Sequence, residues 1–101
     1  MHSMVDGGRA RVIVSGEVDL FTAPELKAAL KDLIVNQDVA DVTIDLTAAM
    51  FLDSTGIAAL FGAYRLLHAR QGELTVLADD PNIIEPLKLT GLTDFVSVVG
   101  V

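Results

Sequence analysis

Four β-prone runs separated by three helical stretches constrain this chain more than any other feature. Residues 10 to 20, ARVIVSGEVDL, open with Val12 and Val14 alternating against Arg11, Ile13 and Ser15. Period two with β-branched side chains reads as a strand, and the apolar Ile13 predicts that both of its faces are covered. Asp6-Gly7-Gly8 ahead of it is a turn signal. The preceding MHSMV has length for a stub of strand only. DVTIDL (41 to 46), GELTVLA (72 to 78) and FVSVV (95 to 99) are the other β-prone runs. Strands alternating with helices predict an α/β sheet with crossover connections, forming one domain over residues 1 to 101.

The first helical stretch, FTAPELKAALKDLIV, carries Thr22 and Glu25 at the spacing of a capping box, with Pro24 in the first turn. Phe21 and Leu26 are spaced as a hydrophobic staple. Leu26, Ala29, Leu30 and Leu33 form one apolar stripe, and Asn36-Gln37-Asp38 ends the helix. A second helix runs from Ser54 or Thr55 to Arg70. The third crosses DPNIIEPLKLTGL, with Asp80 as cap and Pro81 at its first position. Pro86 then falls inside it, which predicts a kink or a helix that begins near Glu85.

Composition narrows the function. Apolar types make up 51% of the 101 residues and charged types 21%, the balance of a packed globule rather than a disordered segment. No apolar run approaches the ~20 residues of a membrane span, and MHSMVDGGRA lacks the basic start and apolar core of a signal peptide. Without cysteine there is neither a disulfide framework nor a thiolate metal site. Cytoplasmic residence is the default expectation. Fourteen acids against seven bases give a net charge of −7. Arg9, Arg11, Lys27, Lys31, Arg65, Arg70 and Lys88 are scattered along the chain, so binding to nucleic acid or anionic lipid is disfavoured.

Chemistry concentrates at FLDSTGIAAL, residues 51 to 60, where Asp53, Ser54, Thr55 and Gly56 stand at the entrance to the second helix. Asp, Ser and Thr are preferred N-caps, so capping alone is one reading. A hydroxyl presented to another protein is the other. Gly56 favours the second, because glycine in a first helical turn costs about 1 kcal/mol relative to alanine and allows close approach of another surface. Ile57, Leu60, Phe61, Tyr64 and Leu67 make one apolar stripe, while Ala58, Ala59, Ala63 and Leu66 cover much of the remainder. The small-residue face around Ala58, Ala59 and Gly62 is thus a candidate docking surface, with cover from neighbouring helices as the competing reading.

Catalysis is disfavoured on the residues themselves. His68 lies fourteen positions beyond Ser54, roughly 20 Å up the same helix, out of reach as a base. L-D-S-T-G lacks the first glycine of a G-x-S-x-G elbow. Asp45, Asp53, Asp79 and Asp80 show no metal-ligand spacing. The expectation is no enzyme, no metal and no cofactor.

GEVDLFTAP (16 to 24), VTIDL (42 to 46), FLDSTGIAAL (51 to 60) and LKLTGL (87 to 92) together resemble a STAS domain, and more narrowly a bacterial anti-sigma factor antagonist. The resemblance covers nearly the whole chain and implies a mixed β-sheet of about four to five strands flanked by helices. It implies that Ser54, or alternatively Thr55, is phosphorylated by an anti-sigma factor that is itself a serine kinase. The unmodified protein would bind that kinase, the phosphorylated protein would let go, and a protein serine phosphatase would reset it. It also implies that Asp19 lies close to Ser54. Joined to the reading of the second helix, this gives Asp19, Asp53, Ser54, Thr55, Gly56, Ala58, Ala59 and Gly62 as the expected partner surface. The alternative within the fold is a non-enzymatic binding module of a transporter or signalling assembly.

Overall fold

The computed structural model describes residues 1–100. Its single sheet has five strands in chain order: β1 (His2–Asp6), β2 (Arg9–Val18), β3 (Asp41–Leu52), β4 (Glu73–Leu77) and β5 (Ser97–Val99). β1 pairs antiparallel with β2 across a turn at Gly7 and Gly8, both at positive φ, and the other three pairings are parallel. Each parallel step needs a crossover helix: α1 (Ala23–Lys31), α2 (Ser54–Ala69) and α3 (Pro81–Leu89). The expected mixed α/β sheet is therefore present.

Strand order explains where the core sits. Parallel crossovers are right-handed, so a chain that always steps toward the same edge deposits all its helices on one face. Val12, Val42, Ile44 and Val76 from that face join Leu30 of α1, Leu60 and Leu67 of α2, and Ile83 and Leu87 of α3 in one buried cluster. The opposite face carries Arg11, Ile13, Thr43, Thr75 and Leu77, none of them fully buried. The expectation of a doubly covered β2 is thus corrected: Ile13 is half-buried on a face that no helix crosses. Asp45 is the exception there, its side chain 8% exposed beneath Arg11. The carboxylate accepts from Thr47 Oγ1 at 2.6 Å, Thr47 N at 2.9 Å and Arg11 Nη2 at 2.7 Å. Those bonds, led by the Thr47 hydroxyl, lower its pKa to about 2.

β3 is twice the length expected from DVTIDL, for a reason written in its pairing. Between Ile13 and Ser15, and again between Gly16 and Glu17, the β2–β3 register slips by one residue, leaving two extra residues in β3. Each bulge lengthens the inward repeat, so the buried positions run Val42, Ile44, Leu46, then Ala49, then Leu52. A strict period of two is lost after Leu46, although the strand continues to the threshold of α2.

Helix entries differ from expectation at two points. The Thr22–Glu25 capping box does not form: Thr22 Oγ1 donates to Glu17 O at 2.8 Å and accepts from Asp19 N at 2.9 Å. Asp19 organises the turn instead, its Oδ1 accepting from Phe21 N at 3.0 Å and Thr22 N at 3.1 Å. That turn points Phe21 outward, 87% exposed, so it cannot staple onto Leu26. In α3, Asp80 caps and Pro81 opens the helix, yet the helix runs unbroken through Pro86 to Leu89. A start near Glu85 is therefore ruled out. Ile83 and Leu87, four apart and fully buried, anchor the helix across the proline.

Candidate functional site

The site forms where β2 and β3 end together. Val18 pairs with Leu52, and the Asp53 amide donates to Val18 O at 3.1 Å. This bond aligns the β2–α1 turn, containing Asp19, with Asp53 and the start of α2 at Ser54. Asp53 is extended and caps α2, its Oδ1 accepting from Thr55 N at 2.9 Å and Gly56 N at 3.2 Å. Thr55 Oγ1 also donates to that oxygen. The Thr55 hydroxyl holds the Asp53 carboxyl below the usual carboxylate range, helped by the amides of Gly56, Thr55 and Leu20. The cap is thus charged and committed.

Capping and presentation, which competed in the sequence, fall to different residues. Asp53 caps. The Thr55 hydroxyl is tied to that cap and half-buried, whereas Ser54, the first residue of α2, is exposed and outside the network. The N-terminus of a helix tolerates negative charge, so a phosphate on Ser54 would meet a favourable backbone field.

Gly56 needs a different explanation from the one expected. It is buried, and a Cβ built there would lie 2.6 Å from Val18 Cγ1 and 2.7 Å from Leu52 Cδ1. The surface that approaches its backbone is the protein's own β2–β3 end, so Gly56 seats α2 on the sheet rather than meeting a partner. Ala58 is exposed, Gly62 half-buried and Ala59 buried, yet all three line a groove of about 490 Å³ between α1 and α2. Thr55 closes the end of that groove nearest the site.

The apolar collar was not foreseen. Leu20 and Phe21 project from the β2–α1 turn, and Met50, 78% exposed, and Phe51 from the end of β3. Glu17 pairs with Phe51, which brings both pairs of side chains to the same end of the sheet. No local sequence pattern marks them: Phe21 is turned out by the Asp19 turn, and Met50 and Phe51 follow register shifts that only the pairing of β3 with β2 creates. At the far end of α2, His68 stacks on Tyr64 with ring centroids 5.4 Å apart, remote from Ser54. Within the described residues no helix is long and apolar enough to cross a membrane.

Known proteins share this fold. Residues 7–100 match the family model of the STAS domain. The chain is 34% identical over 90 residues to the anti-sigma-B factor antagonist of Listeria monocytogenes, covering 89% of this chain and 78% of that protein. A crystal structure of an anti-sigma factor antagonist from Mycobacterium paratuberculosis superposes with a TM-score of 0.84 at 34% identity, covering 96% of this chain and 81% of that one. The phosphorylated form of the Bacillus cell fate determinant SpoIIAA shares the fold, with a TM-score of 0.79 at 21% identity over 97% of this chain and 86% of that one. With a STAS fold throughout and antagonists among its similar relatives, the chain belongs to the anti-sigma factor antagonist family of STAS domains.

Proposed function

We propose that this protein is an anti-sigma factor antagonist that binds an anti-sigma factor kinase and is released from it by phosphorylation of Ser54. The observation that carries the reading is the division of labour at the mouth of α2. Asp53 and Thr55 satisfy the helix end, and Ser54 stands exposed beside them with its hydroxyl outside that network.

Asp19, Asp53, Ser54 and Thr55 form the polar centre of the binding surface, and Leu20, Phe21, Met50 and Phe51 supply apolar area around it. In the unmodified state, exposed apolar side chains beside a neutral hydroxyl give a partner area to bury without desolvating a charge on Ser54. Phosphorylation adds about 1.5 to 2 negative charges. The free protein accommodates them, since the helix end favours an anion. A docked partner does not, because an uncompensated buried charge weakens the complex by several kcal/mol, and Asp53 is already negative. Release follows without unfolding, and a protein serine phosphatase restores the binding state.

The test is to incubate the protein with purified anti-sigma factor kinases and ATP, then locate phosphate by mass spectrometry. Phosphate on Ser54, with loss of the complex, is the expected result. Ser54→Ala stays bound in the presence of ATP, and Ser54→Glu stays folded but binds about a hundredfold more weakly or worse. Wild-type binding by both variants would exclude Ser54 as the switch.

A further inference from the structure

We infer that the groove between α1 and α2 receives an acidic amphipathic helix of a partner protein. Two hollows, of about 490 and 240 Å³, join along this groove and share Lys27, Ala59 and Gly62. Ala58, Ala59, Gly62 and Ala63 form the floor on the α2 side, and Ala23 and Leu30 on the α1 side. From Thr55 to Leu66 the groove follows α2 for about 16 Å, the length of some three helical turns.

Charge identifies the occupant. In a chain with fourteen acids and seven bases, the residues lining this groove include Lys27, Lys31 and Arg65 and no acid. The two ion pairs among the described residues are made by Arg9 and Arg11, on the other face of the sheet. Three cations with no acidic partner among the described residues therefore border an apolar trough. A helix with a leucine-rich stripe flanked by Asp and Glu complements both the trough and its rim.

Gly62 supplies an independent reason to look outward. Glycine is the poorest helix former after proline, and it sits mid-way along α2. A Cβ there would meet nothing within 4 Å, so no internal contact calls for its absence, in contrast to Gly56. Its missing side chain leaves room for a helix that comes from outside. The groove ends at Thr55, one residue from Ser54, so a phosphate on Ser54 stands at its mouth and repels the acidic occupant. That last coupling rests on the proposed switch, whereas the groove and its rim do not.

The experiment uses the full chain labelled with ¹⁵N and a stapled helical peptide of about three turns, built from Leu and Glu at amphipathic spacing. Its counterpart carries Lys in place of Glu. The Glu peptide shifts the amides of Lys27, Ala58, Gly62 and Arg65. Gly62→Leu, which melts at or above the wild-type temperature, weakens binding at least about tenfold, as does Lys27→Glu with Arg65→Glu. Failure of the Glu peptide to bind, equal binding of the Lys peptide, or shifts confined to Leu20, Phe21, Met50 and Phe51 would overturn the inference. So would loss of a homodimer on Gly62→Leu in sedimentation, which would make a second copy the occupant. Titration of the same variants with an anti-sigma factor kinase separates the two readings. A kinase that binds Gly62→Leu and the charge-reversed variant as wild type removes the groove and leaves the antagonist reading. A chain that binds the Glu peptide and no such kinase does the reverse.

Discussion

The Asp53 amide and the Val18 carbonyl meet at 3.1 Å, closing the ends of β2 and β3 on each other. Everything at the site is measured from that bond. Asp19 follows Val18 and orders one turn; Ser54 follows Asp53 and opens α2. Two loops far apart in sequence are thereby held as one surface.

Because Asp53 alone caps α2 by its side chain, Asp53→Ala should lower the melting temperature by about 5 °C, whereas Asp53→Asn, also a strong N-cap, should recover most of the loss. Thermal melts followed by circular dichroism test this. Thr55→Val should leave the fold intact but raise the apparent pKa of Asp53, since the Thr55 hydroxyl is the leading cause of its depression. Carboxyl resonances followed by NMR through acid pH would show the change.

Gly56 and Gly62, six residues apart on one helix, should respond oppositely to alanine. Gly56→Ala forces a methyl against Val18 and Leu52 and should destabilise by about 1 to 3 kcal/mol. Gly62→Ala enters open space and should stabilise by up to about 1 kcal/mol. Urea unfolding of both variants, with unchanged slopes, decides the matter.

Acid should weaken the fold in a defined window. Asp45 has a folded-state pKa of about 2, against about 3.9 for an unperturbed aspartate. A lowered folded pKa stabilises above the unfolded value, so the contribution is complete above about pH 4 and disappears as pH falls toward 2. Asp45 is covered but lies on the open sheet face, so solvent screening holds the effect to roughly 1 to 2 kcal/mol. In Asp45→Asn, the difference in stability between pH 5 and pH 2 should shrink by that amount.

Pro86 offers a gain. It removes one amide from the interior of α3 while Ile83 and Leu87 keep the helix seated. Pro86→Ala should restore the bond to Asn82 O and raise stability by about 1 to 2 kcal/mol, the loss of proline rigidity in the unfolded chain offsetting part of the benefit. Denaturant midpoints measure it directly.

Element order, the three helices and the exposed Ser54 at a helix mouth were legible because they rest on local patterns: periodicity, caps and β-branched runs. What was hidden depends on partners distant in sequence. The second half of β3 was hidden by bulges that only pairing with β2 defines. Thr22 looked like a cap until Asp19 and Glu17 claimed its hydroxyl. Gly56 invited an external contact until Val18 and Leu52 were found against it. Phe95, expected within the last strand, lies outside β5 and rests edge-on against Phe61 with centroids 6.3 Å apart. Helix stripes reveal which side of a helix is apolar, but not that every helix shares one side of the sheet.

The reach of β3 beyond its neighbour has a further result. Pairing with β4 stops at Asp45, and from Ala48 to Leu52 the strand is bonded to β2 alone. Ser54 therefore follows a two-stranded ribbon that has one register shift at its root and a second within it. A bulged two-stranded ribbon twists more strongly than a five-stranded slab, so this stretch sets the angle at which α2 leaves the sheet and the direction its first residue faces.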